Sequence, residues 1–532
     1  MKIRNILISI AAAAFSFTAV SCDAFLDMQP SSSANVDGAI EAPSDATAII
    51  RGVMRKMTSP TTYGRNIFLY ADAKGGDLTI YSVGRGADDL YRFQHSETSG
   101  TYSGFWSNLY SYIMNMNAVL AEIDKLEAAG KTGFDNVKGQ AYLLRAMFYF
   151  DLVRMYGLPY NYKPDSYGVP SITSVAGFDA QPTRATVKEN YTQIVKDLDQ
   201  AVSLIGKSNP LTMPNYYAAK ALQARVYLFM EDYASALAAA QEVIGSGKYS
   251  LYTNDEWASS WSEGPGKESI FVLGIDAVSD NGTSSLGYYY VPKKYKSAST
   301  AMGWFFASDY FLDRLGEDPD DVRWGVMESD EYAADFKVDH KGSCLKYSWY
   351  DASAGKITTA NSITLIRLSE MYLIAAEAAL HAGTKDDAAT YLNAIRKRSP
   401  NLAPADASTI SVDMILSERS KELFGEGHRF FDMMRLDRTV EFNDDLLDIN
   451  VTRRGKTIDR TNGMIVLPIS RDDMNANPAI ASQQNEAYRS GRPAGPLPAR
   501  MAGEGGRSGW SGWLVGEAGS GWSVVLVGWA GW

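Results

Sequence analysis

Apolar residues recur at three- and four-residue steps along several long stretches of the chain, which is the spacing of one face of an α-helix. In the stretch 105–126, the residues that share this face are Trp106, Leu109, Ile113, Met116 and Leu120. Another stretch ends before Gly157 and Pro159, two residue types that stop helices. The pattern predicts helices near 47–57, 105–126, 134–155, 187–204, 215–230, 233–244, 368–381 and 386–396.

Small and large apolar residues alternate within the predicted helices. In the run from Ala218 to Leu228, alanines separate larger side chains, which lets paired helices approach closely. Short turns join 215–230 to 233–244 and 368–381 to 386–396. Such pairs resemble tetratricopeptide repeats, in which stacked helix pairs bury a continuous core. The sequence therefore predicts a mainly α fold, a tetratricopeptide-like helix-pair scaffold with long loop-rich insertions that contain short strands.

Two long insertions interrupt the helical pattern, near 63–104 and 249–359. Both are rich in Gly, Ser, Asp, Tyr and Trp, and they contain short strand-like runs such as 269–274. Long loops in compact domains are usually either functional or disordered, and the aromatic content argues against disorder. We therefore expect the ligand-binding loops in these insertions.

Aromatic side chains in the insertions are the candidate ligand contacts. Tyr and Trp rings offer rigid contact area to the C–H faces of sugars, and polar neighbours can hydrogen-bond to hydroxyl groups. The run from Tyr288 to Tyr290 stands out, because three consecutive tyrosines on a strand cannot all face one core. Packing explains each single ring equally well. The predicted ligand-binding residues are Asp77, Tyr81, Tyr91, Tyr288, Tyr289, Tyr290, Tyr295 and Trp304.

Charged residues at helical spacing mark the segment 415–435. Glu418, Glu422 and Glu426 lie one turn apart, among arginines and large apolar side chains. Gly425 and Gly427 permit a joint in the middle. Paired carboxylates can serve catalysis, but neighbouring arginines keep them ionised, whereas a catalytic acid needs apolar surroundings. We therefore interpret the segment as structural bracing.

Four sequence blocks follow one another across most of the chain: QAYLLRAMFYF at 140–150, RLSEMYLIAAEA at 367–378, the segment 415–435 and LPI at 467–469. Together they resemble the SusD/RagB family of surface glycan-binding lipoproteins. The resemblance implies a protein that binds glycan, works with a SusC-like TonB-dependent outer-membrane transporter and catalyses no reaction. It implies scaffold roles for the matching residues Arg145, Arg367, Glu377, Glu418, Arg419, Glu426, Arg429 and Asp432.

The beginning of the chain predicts export and lipid attachment. Lys2 and Arg4 precede an apolar run that ends at Val20, which is the pattern of a secretory signal peptide. The sequence AVSC, which ends at Cys22, resembles a bacterial lipobox without its usual leucine. An ordinary signal peptide with a chance cysteine is the alternative. We expect lipidation at Cys22, a cell-surface location on the outer membrane, and no disulfide partner for Cys344.

The composition argues against several other classes of protein. The net charge is −11 and Lys and Arg form no cluster, which argues against a nucleic-acid partner. The four histidines are scattered, and the sequence has no nucleophile elbow, phosphate loop or dinucleotide motif. After the first apolar run, none is long enough to span a bilayer. We therefore predict no enzymatic activity, no cofactor and no metal.

These observations divide the chain into a signal peptide (1–21), a lipid anchor and tether (22–46), a glycan-binding domain (47–488) and a Gly- and Trp-rich tail (489–532). We interpret the tail as non-native or disordered sequence, with an appended module as the alternative. The predicted function is to bind oligosaccharide or polysaccharide and deliver it to the transporter. Two alternatives stay open, a peptide-binding member of the same family and, less favoured, a glycoside hydrolase.

Overall fold

The computed structural model describes residues 39–489 except 178, 294, 296–300 and 354. The predicted signal peptide and the lipidation site Cys22 lie outside the described residues, as does the tail beyond residue 489. Helices dominate the described part and its strands are short. The predicted mainly α fold is therefore confirmed.

The α-helices are α1 (Pro43–Met57), α2 (Asn66–Lys74), α3 (Asp88–Tyr91), α4 (Phe105–Ala128), α5 (Asp135–Tyr156), α6 (Val187–Leu204), α7 (Tyr216–Met230), α8 (Tyr233–Ile244), α9 (Asn254–Glu263), α10 (Leu286–Tyr290), α11 (Asp309–Leu315), α12 (Glu331–Phe336), α13 (Leu368–Ala382), α14 (Lys385–Arg396), α15 (Val412–Glu422), α16 (Arg429–Arg435) and α17 (Arg471–Ala476). The strands are β1 (Leu78–Ile80), β2 (Ser269–Leu273), β3 (Phe305–Ala307), β4 (Met327–Glu328), β5 (Ser343–Cys344), β6 (Tyr350–Asp351), β7 (Lys356–Ile357), β8 (Ile363–Arg367), β9 (Val440–Glu441) and β10 (Thr457–Ile458).

The helical scaffold consists of neighbouring helices packed side by side. The packed pairs include α4 with α5, α5 with α6, α7 with α8, and α13 with α14. Helix α8 also packs on α13, so helices from before and after the second insertion lie in one stack. Ala218, Ala221 and Ala224 on α7 are completely buried, as expected for helices that approach closely. Side chains of Thr186 and Asn215 cap the starts of α6 and α7, at the predicted places.

The two insertions pair with each other. Strand β1 of the first insertion runs antiparallel to β3 of the second, with Leu78 opposite Ala307 and Ile80 opposite Phe305. Strands β2 and β8, near the two ends of the second insertion, also pair antiparallel. Both insertions contain short helices beside the expected strands, from α2 and α3 in the first to α9–α12 in the second. The insertions are therefore folded bodies attached to the helix stack.

The tyrosines from Tyr288 to Tyr290 lie on the single helical turn α10, so the argument that placed them on a strand was wrong. All three are at least 93 % buried, with exposed fractions of 6 %, 7 % and 1 %. The three rings are divided between two clusters, and Tyr289 shares the main core with Tyr290. Tyr290 joins the main core and Tyr288 a smaller cluster with Val291 and Ile357.

The segment 415–435 folds as the two helices α15 and α16 with a turn between them. Gly425 and Gly427 in this turn have φ angles of 77° and 78°, in the left-handed region that favours glycine. A Cβ atom on Gly427 would lie 3.0 Å from the Cα atom of Phe68, so the turn also packs closely against α2. The predicted joint is confirmed.

Buried ion pairs tie this segment to the second insertion. Arg367 at the end of β8 pairs with Glu422 and with Glu426, each at 2.7 Å. Arg323 lies 2.7 Å from Glu418 and 3.5 Å from Glu422. We call the set joined by N–O distances of 3.5 Å or less the ion-pair core; its members are Glu268, Asp321, Arg323, Lys346, Arg367, Arg398, Glu418, Glu422 and Glu426.

The ion-pair core confirms that these carboxylates brace the fold. Burial alone would raise the pKa of Glu422, but the charges of Arg367, Arg398 and Arg323 hold it well below its usual value. The carboxylate therefore stays ionised. The neighbouring Arg419 pairs with Asp432 at 2.9 Å and joins α15 to α16, which agrees with the scaffold role that the resemblance implied.

Replacing Glu422 with alanine should lower the free energy of unfolding by about 3–5 kcal/mol, because it leaves buried guanidinium groups without their carboxylate. Chemical denaturation at neutral pH measures this loss, and ligand preference should not change. The matched control is Glu263→Ala, at an exposed position at the end of α9, which should change stability by less than about 0.5 kcal/mol. A loss no larger than that of the control would contradict the bracing role.

Candidate ligand-binding site

Three of the predicted ligand-binding residues meet where the β1–β3 ladder ends. The backbone N–H of Tyr81 donates to the carbonyl oxygen of Trp304 at 3.1 Å, which extends the ladder by one residue. The N–H of Trp304 donates to the carbonyl oxygen of Tyr289 at 3.2 Å. Backbone hydrogen bonds thus fix the order Tyr81, Trp304, Tyr289. We call these three residues the aromatic platform.

The indole of Trp304 is held from two sides. The Tyr289 ring meets it edge-on, with centroids 4.8 Å apart and an interplanar angle of 80°, an arrangement that aromatic pairs favour. On the other side the indole contacts Gly86, where there is no room for a Cβ atom. Trp304 remains partly exposed while Tyr289 is buried beneath it, with the guanidinium of Arg65 4.3 Å from the centre of its ring.

Polar groups flank the ring of Tyr81, which is also partly exposed. The guanidinium of Arg85 lies 4.5 Å from the ring centre, within the range of cation–π attraction. The Tyr81 hydroxyl donates to the carboxylate of Asp335 on α12. This hydrogen bond is the main reason that the pKa of Tyr81 rises to about 12. The phenol is therefore neutral at physiological pH and can take part in hydrogen bonds.

Helix α12 adds further aromatic surface next to Asp335. Phe336 is 55 % exposed and its ring centroid lies 4.9 Å from that of Tyr332. The Asp330 side chain caps the start of this helix by accepting the N–H of Ala333 at 2.8 Å. The segment therefore presents an apolar ring and a carboxylate beside the platform.

His340 anchors the chain that follows α12. Its Nδ1 atom bonds to the carboxylate of Asp330, and its Nε2 atom lies 3.2 Å from the carboxylate of Asp309. Burial lowers the pKa of His340, but the hydrogen bond and charge of Asp330, followed by those of Asp309, raise it above its usual value. His340 thus links the start of α12 to the start of α11.

Three other predicted residues lie inside the protein. Tyr91 is fully buried and donates a hydrogen bond to Asp444 at 2.8 Å. Tyr290 is 1 % exposed and bonds to Asp72 at 3.1 Å. Asp77 pairs with the guanidinium groups of Arg314 and Arg429 at 3.1 and 3.3 Å. In this conformation a ligand in solvent does not reach these side chains, so we do not assign them to ligand binding.

Tyr288 and Tyr295 are also buried, with exposed fractions of 6 % and 5 %. Both belong to the small apolar cluster that includes Val291, Ala301 and Ile357. The structure therefore separates them from the platform. Tyr288 lies on the turn α10, whereas Tyr295 lies beyond its end.

Sequence reasoning missed Arg65, Tyr332, Asp335, Phe336 and His340. Arg65 lies directly before α2, and it was missed because the search of the insertions was for aromatic residues. Tyr332 and Phe336 are four residues apart inside the second insertion, and this spacing on one helical face could have indicated a short exposed helix.

The arrangement is suited to binding. Exposed rings can pack on the apolar face of a ligand, and Arg85, Asp335 and the Tyr81 hydroxyl can hydrogen-bond at its edges. Among the described residues, no group of three or more His, Cys, Asp or Glu side chains is placed to hold a metal ion. In the same part of the chain, no helix has both the length and the apolar character needed to cross a membrane.

Comparisons with known proteins identify the family of the chain. Residues 24–228 match a family model described as starch-binding associating with outer membrane, and residues 339–488 match the SusD family model. A SusD superfamily protein from Bacteroides thetaiotaomicron has 30 % sequence identity and a TM-score of 0.73, over 84 % of this chain and 99 % of that one. The chain belongs to the SusD/RagB family, as the sequence blocks predicted.

Two further relatives show how far the similarity extends. SusD-like protein P38 from Formosa agariphila is 24 % identical, over 79 % of this chain and 89 % of that protein. A laminarin-binding SusD-like protein shares the fold, with a TM-score of 0.62 at 22 % identity, over 84 % of this chain and 99 % of that one.

Replacing His340 with glutamine should destabilise the protein more at acidic than at alkaline pH. Because its pKa is raised in the folded protein, His340 contributes stability that is fully present below its unfolded pKa of about 6.5 and is lost as pH rises through the folded value. The test is to measure the free energy of unfolding of the wild type and of His340→Gln at several pH values below and above about 6.5. His381→Gln, at an exposed position on α13, should not reproduce the pH dependence. If the stability lost in His340→Gln relative to the wild type increased with pH, the expectation would be contradicted.

Proposed function

We propose that this protein binds oligosaccharides or polysaccharides at the cell surface. The observation that carries the proposal is the aromatic platform, with the partly exposed rings of Tyr81 and Trp304 fixed by backbone hydrogen bonds and flanked by Arg85 and Asp335. Rigid rings bind sugar faces at a low entropy cost, and flanking polar groups orient the hydroxyls. Membership of a family with a starch-binding model, and the fold shared with a laminarin-binding protein, support the same ligand class.

We propose binding without catalysis. A glycosidase needs two carboxyl groups on either side of the bond that it breaks. The acids beside Tyr81 are Glu331 and Asp335, which lie one turn apart on the single short helix α12. They share one face of that helix and therefore approach a bound sugar from the same side. This geometry supports a role in hydrogen bonding to the ligand.

The partner we propose is a SusC-like TonB-dependent transporter that receives the bound glycan. The support is the family and its description as associating with the outer membrane. Affinity purification of the tagged full-length protein from its native membrane tests the pairing. An outer-membrane transporter should co-purify, and uptake of the bound glycan should require both proteins.

Trp304→Ala should weaken glycan binding by about 1–2 kcal/mol, or about five- to thirtyfold, because it removes the largest ring of the platform. A glycan array identifies the ligand, and isothermal titration then measures the change in affinity. Tyr227→Ala, which removes a partly buried ring from helix α7, is the control and should leave affinity unchanged.

The melting temperature of each variant separates loss of contact from loss of fold. Wild-type protein that binds peptides and no glycan would favour the peptide-binding alternative, and reducing ends released from a polysaccharide would favour the hydrolase. A Trp304→Ala variant that melts normally and binds glycan like the wild type would remove the platform from the proposal.

We also propose that Cys22 carries the lipid anchor and that residues 47–488 form the glycan-binding domain. Cys22→Ser in the native host should block lipid incorporation and move the protein from the membrane fraction to the soluble fraction. Labelling with a fatty acid analogue measures the first effect, and fractionation measures the second. Cys344→Ser, which changes a buried thiol, is the control and should keep both the label and the membrane location. Unchanged labelling of Cys22→Ser would contradict the anchor.

A further inference from the structure

A crevice of about 540 Å³ opens between the loop after α5, the loop after β10 and the last described residues. Its volume lies in the range of small-ligand sites. Its wall includes Tyr162, Lys163, Tyr167, Arg460 and Arg489, and it shares no residue with the aromatic platform. The crevice thus combines tyrosine rings with several cationic side chains.

Arg184 adjoins this crevice, since its guanidinium bonds to the lining residues Tyr167 and Asn485, and the residue is only 6 % exposed. It donates five hydrogen bonds, to the carbonyl oxygens of Tyr156, Tyr167, Gly168 and Gln483 and to the Oδ1 atom of Asn485. All these acceptors are neutral, so no carboxylate of the described residues bonds to this guanidinium. Its hydrogen-bonding capacity is used, but its charge is not compensated.

A buried charge without a counter-ion attracts opposite charges over a longer distance, because the protein interior screens it weakly. Burial lowers the pKa of Arg184 to about 10, so the group still carries its charge at neutral pH. The crevice wall adds Lys163, Arg460 and Arg489 against the acids Asp165 and Glu486, and Arg460 also pairs with Asp437 at 2.7 Å. With Arg184, four cations meet three acids, so the region carries a net positive charge of one on a chain with a net charge of −11, and it favours an anionic ligand.

The floor and walls of the crevice are held in place before any ligand arrives. The amide of Asn485, which lines the crevice, donates to the carbonyl oxygens of Tyr156 and Leu467 at 3.0 and 2.7 Å. Tyr167 is 43 % exposed, and the guanidinium of Arg460 lies 4.9 Å from the centre of the Tyr162 ring. Preorganised polar groups beside accessible rings suit a sugar that also carries a charge.

We propose that this crevice is a second carbohydrate site, which selects saccharides bearing a carboxylate or sulfate group. The anionic group lies toward the Arg184 side of the crevice and near Lys163, and the sugar ring packs against Tyr167. The inference does not depend on the aromatic platform, because the two sites share no residue.

The test is titration of the full-length Cys22→Ser protein, which has no lipid attachment site, with three tetrasaccharides: a galacturonate tetramer, a sulfated glucose tetramer and a neutral glucose tetramer. The double variant Lys163→Gln/Tyr167→Ala changes two exposed side chains of the crevice. It should weaken binding of an anionic tetramer about tenfold, since it removes a charge-assisted contact and a ring. Wild-type binding should weaken as salt is added. Whichever anionic tetramer binds more tightly identifies the charged group.

The control is Lys248→Gln, which removes an exposed cation from the turn after α8 and should bind like the wild type. All variants should keep the wild-type melting temperature. The proposal is overturned if neither anionic tetramer binds, if the double variant binds them as the wild type does, or if the neutral tetramer depends on the crevice as strongly as the anionic ones.

Discussion

The pairing of charges inside the protein is the constraint on which the rest of the structure depends. A charged group taken out of water costs several kcal/mol unless it finds a partner. The ion-pair core collects nine such groups from the second insertion, the end of β8, the residues after α14 and the segment 415–435. Arg367 stands where β8 ends and α13 begins, so its pairs with Glu422 and Glu426 fix the insertion to the helix stack. Trp304 and Tyr289 of the platform belong to the insertion that these ion pairs hold in place.

Rigid support explains why a site made of loops can be well defined. Tyr81 and Trp304 continue a ladder whose strands come from different insertions, and ladder hydrogen bonds fix the direction in which successive side chains point. Helix α12, held by its Asp330 cap and by His340, closes one side. The binding surface is thus assembled from elements that each have their own reason to be ordered.

The helices could be predicted from sequence because their signals are local. The apolar spacing and the Thr186 cap define α6, and the alanines of α7 indicate close packing without any knowledge of the partner helix. The site could be predicted only as a region, because strand pairing between Leu78 and Ala307 leaves no local trace. The ion pair between Arg323 and Glu418 could not be predicted either, because nothing near Arg323 in the sequence indicates it. The burial of Tyr91 depends on Asp444, which lies far along the chain.

The β1–β3 ladder also has a consequence for how the protein becomes active. Its two strands are far apart in sequence, and closing a long loop delays their pairing relative to the local contacts of the helices. A chain whose helices have formed but whose second insertion has not yet docked has Tyr81 without Trp304. Under the proposed function, the binding surface is therefore complete only after the two insertions have paired, which is later than the formation of the helices.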